Sequence, residues 1–253
     1  MATLWSDFYD ESSLYAKFTT FEEFNYSLHI SLKHRYIYVE TAKVACSTIK
    51  LTLQRLELEN INFTRERFQD IHNREFSPLL RIQQIPNFPS FIENPSYFRF
   101  CFVRNPYTRL LAAYLNKIEG NSRLEKELIL QQLGYNRRDL AISVSFAEFV
   151  AAIEAQPPSM MNNHWRHQYY STFQDSINYQ FIGRLENFND DFSYVLERLG
   201  KGTHKYYTPE VRHQTSSASK LREYYTEDLV NKVYALYEKD FLYFGYDKEL
   251  PVS

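Results

Sequence analysis

Three stretches of the chain alternate or run apolar over six or seven residues, too short for helices. They are RYIYVET (Arg35–Thr41), YFRFCFV (Tyr97–Val103) and YQFIGRL (Tyr179–Leu185). Their β-branched and aromatic residues read as strands, and their imperfect alternation fits strands covered on both faces. Helical spacing follows each. Behind the first strand, Ile49, Leu53 and Leu56 share one stripe, with Lys50, Gln54 and Glu57 predicted to turn away. Behind the second, Asn105 and Pro106 read as N-cap and first helical residue. Tyr107, Leu110, Leu111, Tyr114 and Ile118 then form the stripe, and Gly120 ends it. Ser145 and Glu148 form a capping box ahead of Phe149, Val150 and Ile153. Behind the third strand a helix from about Asp190 to Leu199 stops at Gly200, and a last one covers Glu227–Lys239.

Strand and helix in this alternation predict βαβ units, hence an α/β fold with a mostly parallel sheet flanked by helices. Ligands of such sheets bind at the carboxyl ends of the strands. That rule puts Lys43–Thr48 and Arg104–Pro106 near one edge. The remaining segments carry weaker signals. Residues 1–33 read as a peripheral lead-in, 60–97 as a long irregular excursion with a short helix near Arg65–Ile71, and 156–175 as irregular and polar. Residues 203–222 read as a polar loop whose Arg212, His213, Thr215, Ser216 and Ser217 are placed to close over a ligand. No repeat or linker divides the chain, so the expectation is one domain over 1–253 with its core in 34–247.

Composition narrows the function. A net charge of −2 gives no basic surface for nucleic acid, so an anion site has to be local. Two cysteines, Cys46 and Cys101, form neither a disulfide framework nor a metal-ligand set. A reducing, cytoplasmic setting is the simplest expectation, and no apolar run is long enough to span a membrane. The 21 Tyr and 20 Phe are read first as packing. Oligomeric state is not legible.

The segment VETAKVACSTIK (Val39–Lys50) joins a strand to a helix through a polar turn with no glycine. A helix N-terminus offers unpaired N–H groups and the positive end of a dipole, which together favour phosphate. Ser47 and Thr48 add hydroxyls and Lys43 an ammonium. Lys50 is predicted to point either back at the loop or out to solvent. The bland alternative is that Ser47 and Thr48 only cap the helix. The Walker pattern GxxxxGK[ST] is missing, which argues against a nucleotide kinase. Cys46 as a phosphatase nucleophile would want an arginine six residues on, where Thr52 stands.

FVRNPYTRLLAAY (Phe102–Tyr114) places Arg104 at a strand end before a capped helix, suited to a bidentate phosphate contact. Arg109, one turn on, can pair with a carboxylate or a phosphate.

The segments KVACSTIK, FVRNPYTRLLAAY, NHWRHQ (Asn163–Gln168), FIGRLENFNDDFSYVLERLG and YEKDFLYFGYD resemble, in order, the motifs of the family 2, carbohydrate-type sulfotransferases. The resemblance runs over about residues 33–247. It implies a three-layer, P-loop-like fold related to nucleotide kinases. It also implies 3′-phosphoadenosine 5′-phosphosulfate as donor, no metal, and a hydroxylated acceptor, in this family a carbohydrate. Lys43, Val44, Ala45, Cys46, Ser47 and Thr48 would hold the 5′-phosphosulfate and Arg104 the 3′-phosphate, with Arg109, from its place one turn on, a further candidate ligand. Two positions depart from the family pattern. Ala42 replaces the proline before the lysine. Ala112 stands where a serine usually follows the arginine by eight residues, and one lost hydrogen bond to a charged group costs about 1.5–3 kcal/mol. A non-catalytic, nucleotide-binding relative is the alternative this leaves open.

Sulfuryl transfer needs groups that position, neutralise and accept a proton. Lys43 is expected at the leaving-group oxygen. His164 is the first candidate for the base, with a structural histidine beside Trp165 as its alternative, and His72 is the second. Glu40 and Glu186 rank below them.

Overall fold

The computed structural model describes residues 20–64, 71–208 and 217–251. They fall into two compact units. The first runs to Val103 and resumes at Tyr170; the second holds Arg104–Tyr169 and the C-terminal helices.

The first unit is built on a four-stranded sheet in the order β1 (Leu28–Ser31), β2 (Tyr36–Val39), β3 (Phe98–Val103), β4 (Phe181–Arg184). β1 runs antiparallel to β2, while β2, β3 and β4 are mutually parallel. The period of two decides which side chain goes where. Tyr36, Tyr38, Phe98, Phe100 and Phe102 face α2 (Cys46–Glu57) and α8 (Phe188–Leu199), meeting Ile49, Leu53, Phe192 and Leu196. Leu28, Ile30, Ile37, Val39 and Cys101 face the opposite layer, with Phe24 of α1 (Phe21–Ser27) and Phe88 and Ile92 of α3 (Phe88–Ile92). Helix, sheet, helix is the three-layer arrangement expected.

Gly183 of β4 lies opposite Phe102, and a Cβ there would collide with the phenyl ring. The aromatic face of the sheet therefore needs a glycine at this position.

The lead-in reading of residues 1–33 fails for its described part. Residues 21–31 form α1 and the edge strand β1, and Phe24, Leu28 and Ile30 are wholly buried. Four residues, LHIS, are too few to show a period, so the strand was invisible in the pattern. The free edge of β1 is covered by an antiparallel bridge between Ile30 and Leu80, which ties the 60–97 excursion to the sheet. The helix predicted near Arg65–Ile71 lies largely outside the described residues.

α2 also departs from expectation. Lys50 and Gln54 do not turn to solvent; both are wholly buried. The excursion covers the helix face opposite the sheet, and Arg55 anchors it by donating from Nε to the Phe63 carbonyl at 2.8 Å.

The second unit is helical. α4 (Pro106–Tyr114), α5 (Arg123–Gln132), α6 (Phe146–Glu154), α9 (Ser217–Tyr224), α10 (Glu227–Leu236) and α11 (Glu238–Phe244) supply most of one core around Tyr107, Phe149, Trp165 and Tyr237. The short α7 (Gln168–Ser171) ends the intervening segment. Asn105 caps α4 by accepting from the N–H groups of Tyr107 and Thr108. Past Tyr114 the helix widens into a π turn over Leu115–Glu119 before Gly120. The capping box of Ser145 and Glu148 forms as predicted. The predicted last helix is two, broken at Tyr237.

Candidate active site

The first loop follows the carboxyl end of β2. Residues 42–45 make the turn, and Lys43 (φ 67°) and Ala45 (φ 49°) both adopt the left-handed conformation without being glycine. Each such residue costs on the order of 1 kcal/mol, and strain of this kind persists only where the surroundings enforce it. The missing glycines thus do not change the kind of turn, only its cost.

Ala45 is the N-cap of α2, and no side chain caps the helix. Ser47 and Thr48 lie inside the first turn rather than at the cap position. The first turn of α2, with the turn before it that carries Lys43, is the kind of backbone feature that accepts an anion. The residues fit a phosphosulfate or phosphate group there.

Behind the loop lies a chain of buried polar groups. Lys50 Nζ is 2.6 Å from Glu40 Oε2 and 2.8 Å from His72 Nδ1. His72 Nε2 is 3.1 Å from Ser47 Oγ. On the other side, Glu40 Oε2 is 2.8 Å from His29 Nε2, and Arg74 donates to His29 Nδ1, to the Leu28 carbonyl and to the Leu80 carbonyl. An ammonium and a guanidinium can only donate, so Lys50 and Arg74 orient every bond of the network. Burial pushes Glu40 upward, but the Lys50 charge and the His29 hydrogen bond outweigh it and hold the carboxyl far below the usual carboxylate range. Burial, with Arg74 alongside, pushes His29 down to about 3, so its ring is neutral. Arg74, lowered by burial to about 10, keeps its charge. Among the described residues of this network one carboxylate stands against two cations, which suits an anion in front of it.

Cys46 is half-buried, and burial pushes its thiol upward, so it is no ready thiolate. It lies in the first turn of α2.

The second motif is anchored by residues the sequence did not single out. The Gln168 side chain clasps the backbone of Arg104, accepting from its N–H at 2.8 Å and donating to its carbonyl at 2.7 Å. Buried Asp240 accepts in turn from the N–H groups of Gln168 and Tyr169, at 2.7 and 2.9 Å. The Arg104 side chain donates from Nε to Thr108 Oγ1 at 2.9 Å, which orients the guanidinium. Ala112 is buried, and Thr108, one turn earlier, supplies the hydroxyl that orients Arg104.

Arg109 does not sit as a phosphate ligand. It is 2% exposed and donates to the carbonyls of Arg166 and Asn163, at 2.8 and 3.0 Å. It braces the segment that carries His164. There the Asn162 Oδ1 accepts from the His164 backbone N–H at 3.0 Å and lies 2.7 Å from Nδ1. An atom that accepts from a backbone N–H is the amide oxygen, so Nδ1, which also lies 3.6 Å from Glu125 Oε1, carries a proton, and in the neutral ring Nε2 holds the lone pair. His72 is in the opposite state, since the Lys50 ammonium occupies its Nδ1.

Of the 203–222 loop, positions 209–216 and the Ser217 side chain lie outside the described residues, and with them Arg212, His213, Thr215 and Ser216. Among the described residues no group of three or more His, Cys, Asp or Glu is arranged around a metal position. None of their helices is long and apolar enough to cross a membrane.

Comparison with known proteins agrees with this geometry. The chain is 32% identical to carbohydrate sulfotransferase 14 of Danio rerio over 230 residues, 85% of this chain and 60% of the relative. It is 28% identical to carbohydrate sulfotransferase 12 of Xenopus laevis over 254 residues, 85% of this chain and 59% of the relative. It is 26% identical to carbohydrate sulfotransferase 11 of Danio rerio over 231 residues, 84% of this chain and 65% of the relative. The chain spans about half the length of the curated relatives it matches first. No solved structure matches it. A family model described as the sulfotransferase family matches residues 26–247, and the chain belongs to that family.

Proposed function

We propose that the protein transfers a sulfuryl group from 3′-phosphoadenosine 5′-phosphosulfate to a hydroxyl, most simply one on a carbohydrate. The carrying observation is the glycine-free turn, strained at Lys43 and Ala45, opening onto an uncapped helix with one buried carboxylate set against two cations behind it. Such a loop suits one 5′-phosphosulfate, not a triphosphate. Arg104, oriented by Thr108, suits the 3′-phosphate that marks this nucleotide. The carbohydrate acceptor is supported by the similarity to carbohydrate sulfotransferases.

In the reaction we infer, the acceptor oxygen attacks sulfur in line as the bond from sulfur to the 5′-phosphate oxygen breaks. The acceptor proton passes to His164 Nε2, the ring nitrogen that holds a lone pair. Lys43 and the first-turn N–H groups of α2 stabilise charge on the leaving oxygen and the sulfuryl oxygens. The products are a sulfate ester and 3′,5′-bisphosphoadenosine.

The test is incubation with sulfur-labelled donor and a panel of hydroxylated acceptors, carbohydrate, phenolic and lipid. Label should move to a carbohydrate, with none moved by Lys43→Ala. Transfer to no acceptor class, by a protein that remains folded, would overturn the reading.

A further inference from the structure

His72 reads from the sequence as a possible base, yet its surroundings give it a different task. Lys50 is wholly buried and cannot swing away, because Glu40 Oε2 holds it at 2.6 Å. Its ammonium meets His72 Nδ1 at 2.8 Å and has only protons to offer, so Nδ1 is the acceptor. In the neutral ring the one proton is then on Nε2, and Nε2 donates to Ser47 Oγ at 3.1 Å. The Ser47 hydroxyl has one lone pair engaged by His72 and keeps its own proton to give. Ser47 is in the first turn of α2, the turn whose N–H groups no side chain caps.

We propose that His72 is a positioning residue, locked by Lys50 as the Nε2–H tautomer, which fixes Ser47 as a hydrogen-bond donor to the anion bound at the first loop. Two residues of α2 and one of the excursion thus make one directional relay: Lys50 donates to His72, His72 to Ser47, and Ser47 to the ligand. The arrangement removes His72 from the competition for the base. Its Nε2 already carries a proton and its Nδ1 faces a cation, so neither nitrogen can take a proton from an acceptor hydroxyl. That the bound anion is the 5′ end of the sulfuryl donor rests on the function proposed above; the tautomer and the direction of the relay do not.

The test has two arms. In the first, protein carrying 15N-labelled histidine is assigned by comparison with His72→Gln, and the two ring nitrogens of His72 are read by long-range 1H–15N correlation. Nε2 should be protonated and Nδ1 bare, before and after addition of 3′,5′-bisphosphoadenosine. A proton on Nδ1 in the neutral ring overturns the proposal, whether or not the nucleotide binds.

In the second arm, steady-state kinetics compare two substitutions. In His72→Gln the side-chain amide reaches the place of Nε2 and can still donate to Ser47. In His72→Asn the amide ends near the place of Nδ1 and cannot reach it. His72→Gln should keep kcat within a few-fold of the wild type, and His72→Asn should raise KM for the donor about tenfold. Loss of kcat by roughly 10²–10⁴-fold in both would make His72 the base and overturn the proposal. If no acceptor or donor turns over, the function reading fails while the first arm still decides the tautomer.

Discussion

Lys50 Nζ lies 2.6 Å from Glu40 Oε2, with both side chains buried behind the first loop. The pair joins the strand before the loop to the helix after it, and so holds the two ends of the strained turn together. Removing one partner leaves an uncompensated charge inside. Lys50→Met should destabilise the first unit by about 3–5 kcal/mol, and adding Glu40→Gln to it should recover part of that loss. Urea unfolding measures both; a single substitution costing under about 1 kcal/mol would show that the pair does not hold the turn.

The same network predicts acid sensitivity. His29 has its folded pKa lowered from 6.5 to about 3, so the unfolded chain binds the extra proton between those values. Stability from keeping this ring neutral is fully present above 6.5 and declines as pH falls toward 3, with a slope of up to about 1.4 kcal/mol per pH unit. Glu40, held far below its ordinary 4.5, adds a loss that begins as pH falls below that value. Thermal unfolding across pH 4.5–7 should show the decline, and His29→Gln should flatten it. An equal slope in the variant would remove His29 as its source.

Arg104 and Arg109 should respond differently to loss of their partners. Thr108→Val keeps the shape of the side chain but removes the oxygen that orients Arg104. It should weaken binding of 3′,5′-bisphosphoadenosine about tenfold with little change in unfolding temperature. Arg109→Ala removes two buried bonds to carbonyls and should cost about 3 kcal/mol of stability. If Arg109→Ala is as stable as the wild type and loses nucleotide instead, Arg109 is a ligand after all.

Gly183→Ala places a methyl group against the Phe102 ring. The overpacked sheet should lose about 1–3 kcal/mol, and Phe102→Leu in the same chain should restore some of it by making room. Calorimetric melting of the single and double variants checks the coupling; additive effects would contradict the contact.

Much of the fold was legible because its signals are local. The alternation of Tyr36 and Tyr38 with Ile37 and Val39 marks β2, and Asn105–Pro106 marks the start of α4. The capping box at Ser145 and Glu148 needs only four residues. The site divides along the same line. Lys43, Ser47, Thr48 and Arg104 stand out because each follows a strand and opens a helix. The groups that position them do not, since their partners are distant: His29 meets Arg74 across 45 positions, and Arg104 meets Gln168 across 64. Lys50 illustrates the limit. Its place on the helical wheel says solvent, and only the excursion folded over that face turns it inward. The left-handed backbone at Lys43 and Ala45 was equally hidden, because nothing in either side chain asks for it.

The central proposal is that the protein binds a nucleotide carrying a phosphate at each end. Calorimetric titration with 3′,5′-bisphosphoadenosine tests it most directly, with adenosine 5′-monophosphate as the comparison. The account predicts saturable binding of the bisphosphate, much weaker binding of the monophosphate, and loss of that difference in Arg104→Ala. Equal affinity for the two nucleotides, or no binding of the bisphosphate at millimolar concentration, would contradict it.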